Sequence, residues 1–322
     1  MLNTDAIILL REAALTSVYA SVQELEVLSS PASPAPPIQK GDSMKTEHEL
    51  LLVYERDLQI AHMIQADFLP EVLPQMPGWE IAARFHPARV VSGDFYDAFT
   101  LANNRVGIVV ADVCDKGVGA ALFMSLFRSL IRAFAQQHYN LSWLDILNDE
   151  RGKPSKGVRS QAPRIGTTAL KNAVTLTNNY IANNHSRINM FATLFFGVLN
   201  PATGLLHYVN AGHEPPLIFS ADGVKTRLKP TGPAVGIIPN REFGIEQVQL
   251  EPGDILVAYS DGVTDARNPK GQFFGEEKLL SLLQQPAPSA TAVLDRIEAS
   301  VYAYIADADQ FDDITMLAVH RA

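Results

Sequence analysis

Apolar positions in the first fifth of the chain recur with a helical period. Leu15, Val18, Val22 and Leu25 fall at 3-4-3 spacing within residues 4–28, and Leu51, Tyr54, Leu58 and Ala61 repeat it within residues 46–68, so each set lines one face of an amphipathic helix. The intervening SSPASPAPP at 29–37 cannot continue a helix, because proline lacks an N–H and restricts the residue before it; it predicts a semi-rigid linker. Pro70 and Pro74 stop the second helix. From about residue 79 the period shortens. WEIAARFHP, VGIVVADV, LFFGVL, LLHYVNA, PPLIF, DILVAYSDG and ITMLAVH are short runs rich in β-branched and aromatic residues and predict strands. Helical spacing returns over 118–137, with Leu122, Leu126 and Leu130, and over 291–306, with Val293, Ile297 and Val301. Strand pairs interleaved with a few helices predict an α+β fold or a β-sandwich covered by helices, not βαβ repeats. The chain thus divides into an N-terminal helix and linker (1–45), a second helix and its connection (46–78), and a main domain (79–322).

Composition narrows the classes. With 322 residues, 47% apolar and 19% charged, the chain can bury a sizeable core, which excludes wholesale disorder and collagen-like or purely coiled-coil architectures. A formal net charge of -9 argues against a general nucleic-acid or anionic-membrane surface. Cys114 is the single cysteine; no internal disulfide, CxxC redox pair or cysteine zinc site is available, which fits a reducing cytoplasm. The amino terminus carries Asp5 before its short apolar run and no basic segment, so it does not read as a secretory signal. Residues 188–213 are free of Asp, Glu, Lys and Arg, but Asn200-Pro201 and Thr203-Gly204 interrupt them with turn chemistry; they predict a buried hairpin, not a membrane helix. Residues 149–171, basic and carrying Gly and Pro, predict a mobile loop. Its Arg151, Lys153, Lys156, Arg159, Arg164 and Lys171 are candidates for steering an acidic phosphoprotein, against the alternative of an ordinary solvated loop.

The carboxylates matter for where they fall. Asp94 and Asp97 sit in VSGDFYD, Asp112 and Asp115 in VVADVCDKG, Asp261 and Asp265 in LVAYSDGVTDA, and Asp312 and Asp313 in FDDITMLAV. Any one group alone reads as a turn-capping Asp. Four groups at strand ends read otherwise, because carboxylates there are costly unless a cation joins them. Hard oxygen donors with no His or Cys cluster point to magnesium or manganese. Asp254, in the turn sequence EPGD, reads as structural.

GDFYD, ADVCDKGVGAAL, NAGHEPP, SDGVTDA and DDITML, in this order and at these separations, resemble the PPM-type (protein phosphatase 2C-like) metal-dependent serine/threonine phosphatases, in particular the bacterial SpoIIE/RsbU-type branch. The resemblance covers about residues 59–321. It implies a central β-sandwich of mostly antiparallel strands flanked by helices, with two Mn2+ or Mg2+ ions at one end. Carried over, Asp112 bridges the ions with the Val113 carbonyl beside it, Asp261 and Asp312 complete the second ion's shell, and Asp94 acts through water. Asp265 serves a third, weaker ion or braces the DG turn, and Asp312 takes precedence over Asp313 as ligand. Arg89, five residues before Asp94, matches the spacing of a phosphate-holding arginine in eukaryotic relatives, against a solvated surface arginine. His213 reads as a substrate-orienting or a buried backbone-bonded histidine. Ser92 replaces the first Gly of the branch's GGD, and Cys114-Asp115 replace Ser-Gly or Ser-Asp.

The implied activity is attack of a metal-activated water on phosphoserine or phosphothreonine, on a STAS-type anti-anti-sigma protein as substrate. The 46–68 helix is expected to regulate and to form a homodimer, with Ile60, Met63 and Ile64 as the face turned to its own domain. No nucleic acid or membrane partner is expected. Two other readings stand beside this one: a phosphodiester or phosphotransfer enzyme, weakened by the lack of a Walker-type loop, and a phosphatase-fold scaffold that sequesters a partner.

Overall fold

The computed structural model describes residues 47–149 and 165–322. The helix expected at 4–28, the proline-rich linker and Arg151, Lys153, Lys156, Arg159 and Arg164 lie outside the described residues. The chain separates into two compact units, Met1–Leu51 and Leu52–Ala322. The sheets and the site belong to the second.

Helix α1 (Glu47–Phe68) matches the expected span, but its faces are exchanged. Leu58, Ala61 and Phe68 are half-buried and Gln65 is buried, whereas Ile60, Met63 and Ile64 are exposed together with Leu51 and Tyr54. Packing favours the Ala61/Gln65 stripe because Gln65 makes a buried pair of hydrogen bonds to the backbone of Ser92, at 2.7 and 2.9 Å.

Ten strands follow: β1 (Trp79–His86), β2 (Asp94–Leu101), β3 (Arg105–Val113), β4 (Ala192–Asn200), β5 (Leu205–Ala211), β6 (Leu217–Ser220), β7 (Gly223–Arg227), β8 (Glu246–Gln249), β9 (Ile255–Tyr259) and β10 (Ile314–Arg321). They form two five-stranded sheets, ordered β1-β10-β9-β6-β7 and β2-β3-β4-β5-β8, and every pairing between them is antiparallel. Helices α2 (Val118–Asp149) and α3 (Ile165–Asn184) pack on the second sheet, and α4 (Glu276–Leu283) and α5 (Ala290–Ile305) belong to the first.

The strand sequences follow from these layers. In β3, Ile108 and Val110 enter the apolar layer between the sheets with Phe195, Leu256 and Leu317. Val109, Ala111 and Val113 meet Met124, Phe127 and Ile131 of α2 on the other face. A strand covered on both faces needs apolar residues at every position, which is why VGIVVADV runs without alternation. Each large side chain so buried contributes about 1.5–3 kcal/mol. Within α2, Val118–Gln137 is long and apolar enough by composition to cross a membrane. Ala120, Met124, Phe127, Ile131 and Ala135 spend that apolarity in the core.

The loop expected at 149–171 is corrected at both ends. Helix α2 reaches Asp149 and α3 begins at Ile165, so Lys171 is helical, where its ammonium lies 3.4 Å from Glu242.

Candidate metal centre

The acidic segments converge at one end of the sandwich. Asp94 opens β2 directly opposite Asp112 in β3, and Asp112 is flanked on its other side by Thr193 of β4. From the other sheet, Asp261 heads a 3-10 turn (Asp261–Val263) immediately after β9, and Asp312 precedes β10. Two glycines allow the approach. A side-chain carbon on Gly262 would lie 1.9 Å from the Asp313 carbonyl oxygen, and one on Gly93 would lie 2.7 Å from that of Val113. Any larger residue would push the Asp261 turn off the Asp312-Asp313 backbone, or the start of β2 off the Val113 carbonyl.

Among the described residues, the negative charge of the site is only partly balanced, by Lys116. Burial, then Asp112, then Asp313 hold the Asp94 carboxyl well above the usual carboxylate range, opposed by the hydroxyls of Ser260 and Thr315. Its Oδ2 is buried without a hydrogen-bond partner. Asp112 is pushed up to about 7 by burial and by Asp261, Asp312 and Asp313, with a hydrogen bond from Asp94 acting the other way. Burial followed by Asp312 and Asp265 raises Asp261, and Lys116 lowers it. Lys116 places its ammonium 2.7 Å from Asp312 Oδ2. It is presented by a turn in which Asp115 takes the left-handed conformation (φ 72), as Asp tolerates better than most residues, and Asp115 Oδ1 accepts from the Lys116 N–H at 2.8 Å.

These donors fit a hard divalent cation: carboxylates and a carbonyl, a buried oxygen with no partner, and mutual repulsion that an ion would relieve. Among the described residues, no three His, Cys, Asp or Glu side chains are gathered closely enough to hold an ion as they stand. Asp312 is instead drawn to Lys116.

The structure distributes the remaining sequence candidates around this centre. Asp313 is buried and accepts from the Ala88 N–H (2.7 Å), the Ser92 hydroxyl (2.6 Å) and the Gly93 N–H (3.1 Å), so it ties the 87–93 loop to β10. Arg89 is an exposed residue of that loop. Asp265 is half-buried, and its N–H donates to the Asp261 carbonyl at 2.7 Å. Asp97 takes no part: it is buried between Arg128 and Arg132 of α2, 3.1 Å from each. Asp254 is held by Lys225 and by the Glu251 N–H, as its turn sequence indicates. His213 is buried, its Nδ1 2.9 Å from the Thr193 hydroxyl, and burial lowers it to about 4, so the ring is neutral. Burial raises the Cys114 thiol, whose sulfur accepts from the Phe191 N–H. Sequence reasoning missed Lys116 and Glu214. Glu214 is raised by burial and then by Asp261, Glu276 and Asp265, which puts the NAGHEPP loop within electrostatic reach of the centre.

A family model for stage II sporulation protein E (SpoIIE) matches residues 102–322. The chain belongs to the SpoIIE family. It is 47% identical over 272 residues to protein IcfG of Synechocystis sp., an alignment covering 82% of this chain and 41% of IcfG. It is 28% identical over 281 residues to phosphoserine phosphatase RsbU of Bacillus subtilis, covering 85% of this chain and 74% of RsbU. The chain therefore spans about two fifths of the length of IcfG and three quarters of that of RsbU. Among solved structures, the SiaA-PP2C domain of Pseudomonas aeruginosa shares the fold, with a TM-score of 0.61 at 20% identity, over 84% of this chain and 98% of that one. The expected sandwich and family are thus both found.

Proposed function

We propose that this SpoIIE-family chain is a metal-dependent protein serine/threonine phosphatase that hydrolyses phosphoserine or phosphothreonine on a regulatory protein, with a phosphorylated STAS-type anti-anti-sigma protein as substrate. The observation that carries the reading is the meeting of Asp94, Asp112, Asp261 and Asp312, from both sheets, in a cluster where, among the described residues, Lys116 is the cation paired with a member. Two Mn2+ or Mg2+ ions at these carboxylates would supply hydroxide at neutral pH and offset charge on the phosphoryl oxygens. Asp112 would bridge, with the Val113 carbonyl beside it. Asp261 and Asp312 would hold the second position, Asp94 would act through water, and Asp265 would serve a weaker third. Asp313, engaged by three donors, braces the site instead of binding metal. Neutral His213 orients Thr193 beside Asp112. Arg89 stands on the loop that Asp313 anchors, where a guanidinium meets a phosphate dianion. A covalent nucleophile is not required, and a thiol raised as Cys114 is would serve poorly as one. The name of RsbU, a phosphoserine phosphatase, supports the phosphoserine assignment, and the exposed apolar residues of α1 support a homodimer.

The test is hydrolysis of p-nitrophenyl phosphate and of a phosphorylated STAS-domain protein, with Mn2+ and with a chelator. We expect Mn-dependent release of phosphate from both. Tight binding of the STAS protein with no phosphate release at any metal concentration would favour the sequestering scaffold.

A further inference from the structure

The loop that follows Asp265 carries a cation the catalytic reading leaves unused. The guanidinium carbon of Arg267 lies 3.4 Å from the ring centroid of Phe311 and 4.8 Å from that of Phe273. The Lys116 ammonium is 5.0 Å from the same Phe311 ring and donates to the Phe311 carbonyl at 3.1 Å. Both rings are open to solvent, Phe311 by 39% and Phe273 by 51%. Among the described residues no carboxylate pairs with Arg267, and its Nε is buried without a partner. Lys116 is already committed to Asp312. Arg267 is the member of the pair left for an incoming anion.

The platform is firmly built. Arg267 and Phe273 face each other in a short antiparallel bridge. Asn268 Oδ1 accepts from the N–H groups of Lys270 and Gln272, both at 3.0 Å. The Phe274 N–H donates to the Ala266 carbonyl at 2.7 Å, and the Tyr304 hydroxyl donates to the Phe273 carbonyl at 2.9 Å. Phe311 immediately precedes Asp312, and Arg267 lies two residues beyond Asp265, so the platform borders the carboxylate cluster on both loops of the first sheet.

We propose that Arg267, Phe273 and Phe311 form a docking platform for the acidic polypeptide flanking the phosphorylated residue of the protein substrate. A guanidinium stacked on an aromatic face keeps its planar donor edge available for a carboxylate, a geometry that lysine does not reproduce. The neighbouring rings cover the aliphatic part of the same segment. In a chain of net charge -9, a local cation beside the cluster selects for acidic partners. The proposal rests on the phosphatase reading.

Its test compares wild type, Arg267→Ala and Arg267→Lys on three probes with Mn2+: p-nitrophenyl phosphate, a phosphoserine peptide flanked by Asp and Glu, and the same peptide flanked by Asn and Gln. Wild type should prefer the acidic peptide by about tenfold in kcat/KM, the scale of one charge-assisted contact. Arg267→Ala should abolish that preference through KM, Arg267→Lys should retain part of it, and p-nitrophenyl phosphate should change less than twofold. Absence of the preference in wild type, its retention in Arg267→Ala, or an equal loss on all three probes overturns the platform. A wild type inert towards p-nitrophenyl phosphate overturns the phosphatase reading and the platform with it. If Arg267→Ala does not fold, as read by its melting curve, Phe273→Leu carries the same comparison.

Discussion

At the scale of single residues, Asp112 concentrates the conflict that defines the site. Its folded carboxyl is raised from 3.8 to about 7, so the folded state binds the proton more tightly than the unfolded chain. The contribution to stability is complete below about pH 4 and is lost as pH rises to about 7. With a chelator present, the melting temperature should therefore fall across that window, and calorimetry at stepped pH reads it directly. Asp112→Asn should flatten the fall, raise the melting temperature at pH 8 by about 3 °C or more, and abolish Mn-dependent turnover. Wild-type turnover at saturating Mn2+ would sink the ligand assignment. The Asp residues of this cluster were legible in sequence because Asp recurs at strand ends where apolar runs stop. Lys116 and Glu214 were not, since a Lys in a DKG turn and a Glu before two prolines look like solvated loop residues. Their proximity to Asp312 and Asp261 exists only after the two sheets meet. The same holds for Asp313, whose three donors come from residues 88–93, more than two hundred positions away.

At the scale of elements, legibility followed burial. Strands β3, β4, β9 and β10 are apolar on both faces and stand out. Strands β7 and β8, GVKTR and EQVQ, are polar sheet edges, the composition that discourages edge-to-edge association, and they escaped the reading. Helix α3 escaped it for another reason. Its inner face includes Thr177 and Asn178, and Asn178 bonds the Ile238 carbonyl and the Gly236 N–H, so polar residues interrupt the apolar stripe. In α1 the stripe is likewise broken by Gln65, whose amide clamps Ser92, the residue that also supplies a hydroxyl to Asp313 and to the Asp94 N–H. Gln65→Ala leaves the buried Ser92 groups unpaired. It should cost about 1–3 kcal/mol in stability and weaken Mn2+ binding in an electron-paramagnetic-resonance titration. Unchanged metal affinity would show that the clamp is purely structural.

At the scale of the whole molecule, the exposed apolar residues of α1 bear on assembly. Leu51, Tyr54, Ile60, Met63 and Ile64 are each more than a third exposed, and a helix this short supplies too few heptads for a strong coiled coil. We expect a dimer that dissociates within the micromolar range in sedimentation, and loss of that dimer in the Leu51→Lys, Met63→Lys double variant with unfolding of the sandwich unaltered. A monomer at every concentration would refute the dimer. Strand order carries a different consequence, one of timing. Strand β10 lies between β1 and β9, pairing Trp79 with Arg321, so during synthesis the first strand of the sandwich waits for the tenth before its sheet can close. Asp312 emerges just ahead of that strand. A growing chain thus carries two corners of its acidic cluster, Asp94 and Asp112, until Asp261 is made late in synthesis, and receives the fourth only as the sheet is completed, and contacts so distant along the chain form slowly. On the proposed phosphatase reading, catalytic competence and a closed first sheet arrive together, and a half-made chain has no complete acidic cluster at which to act.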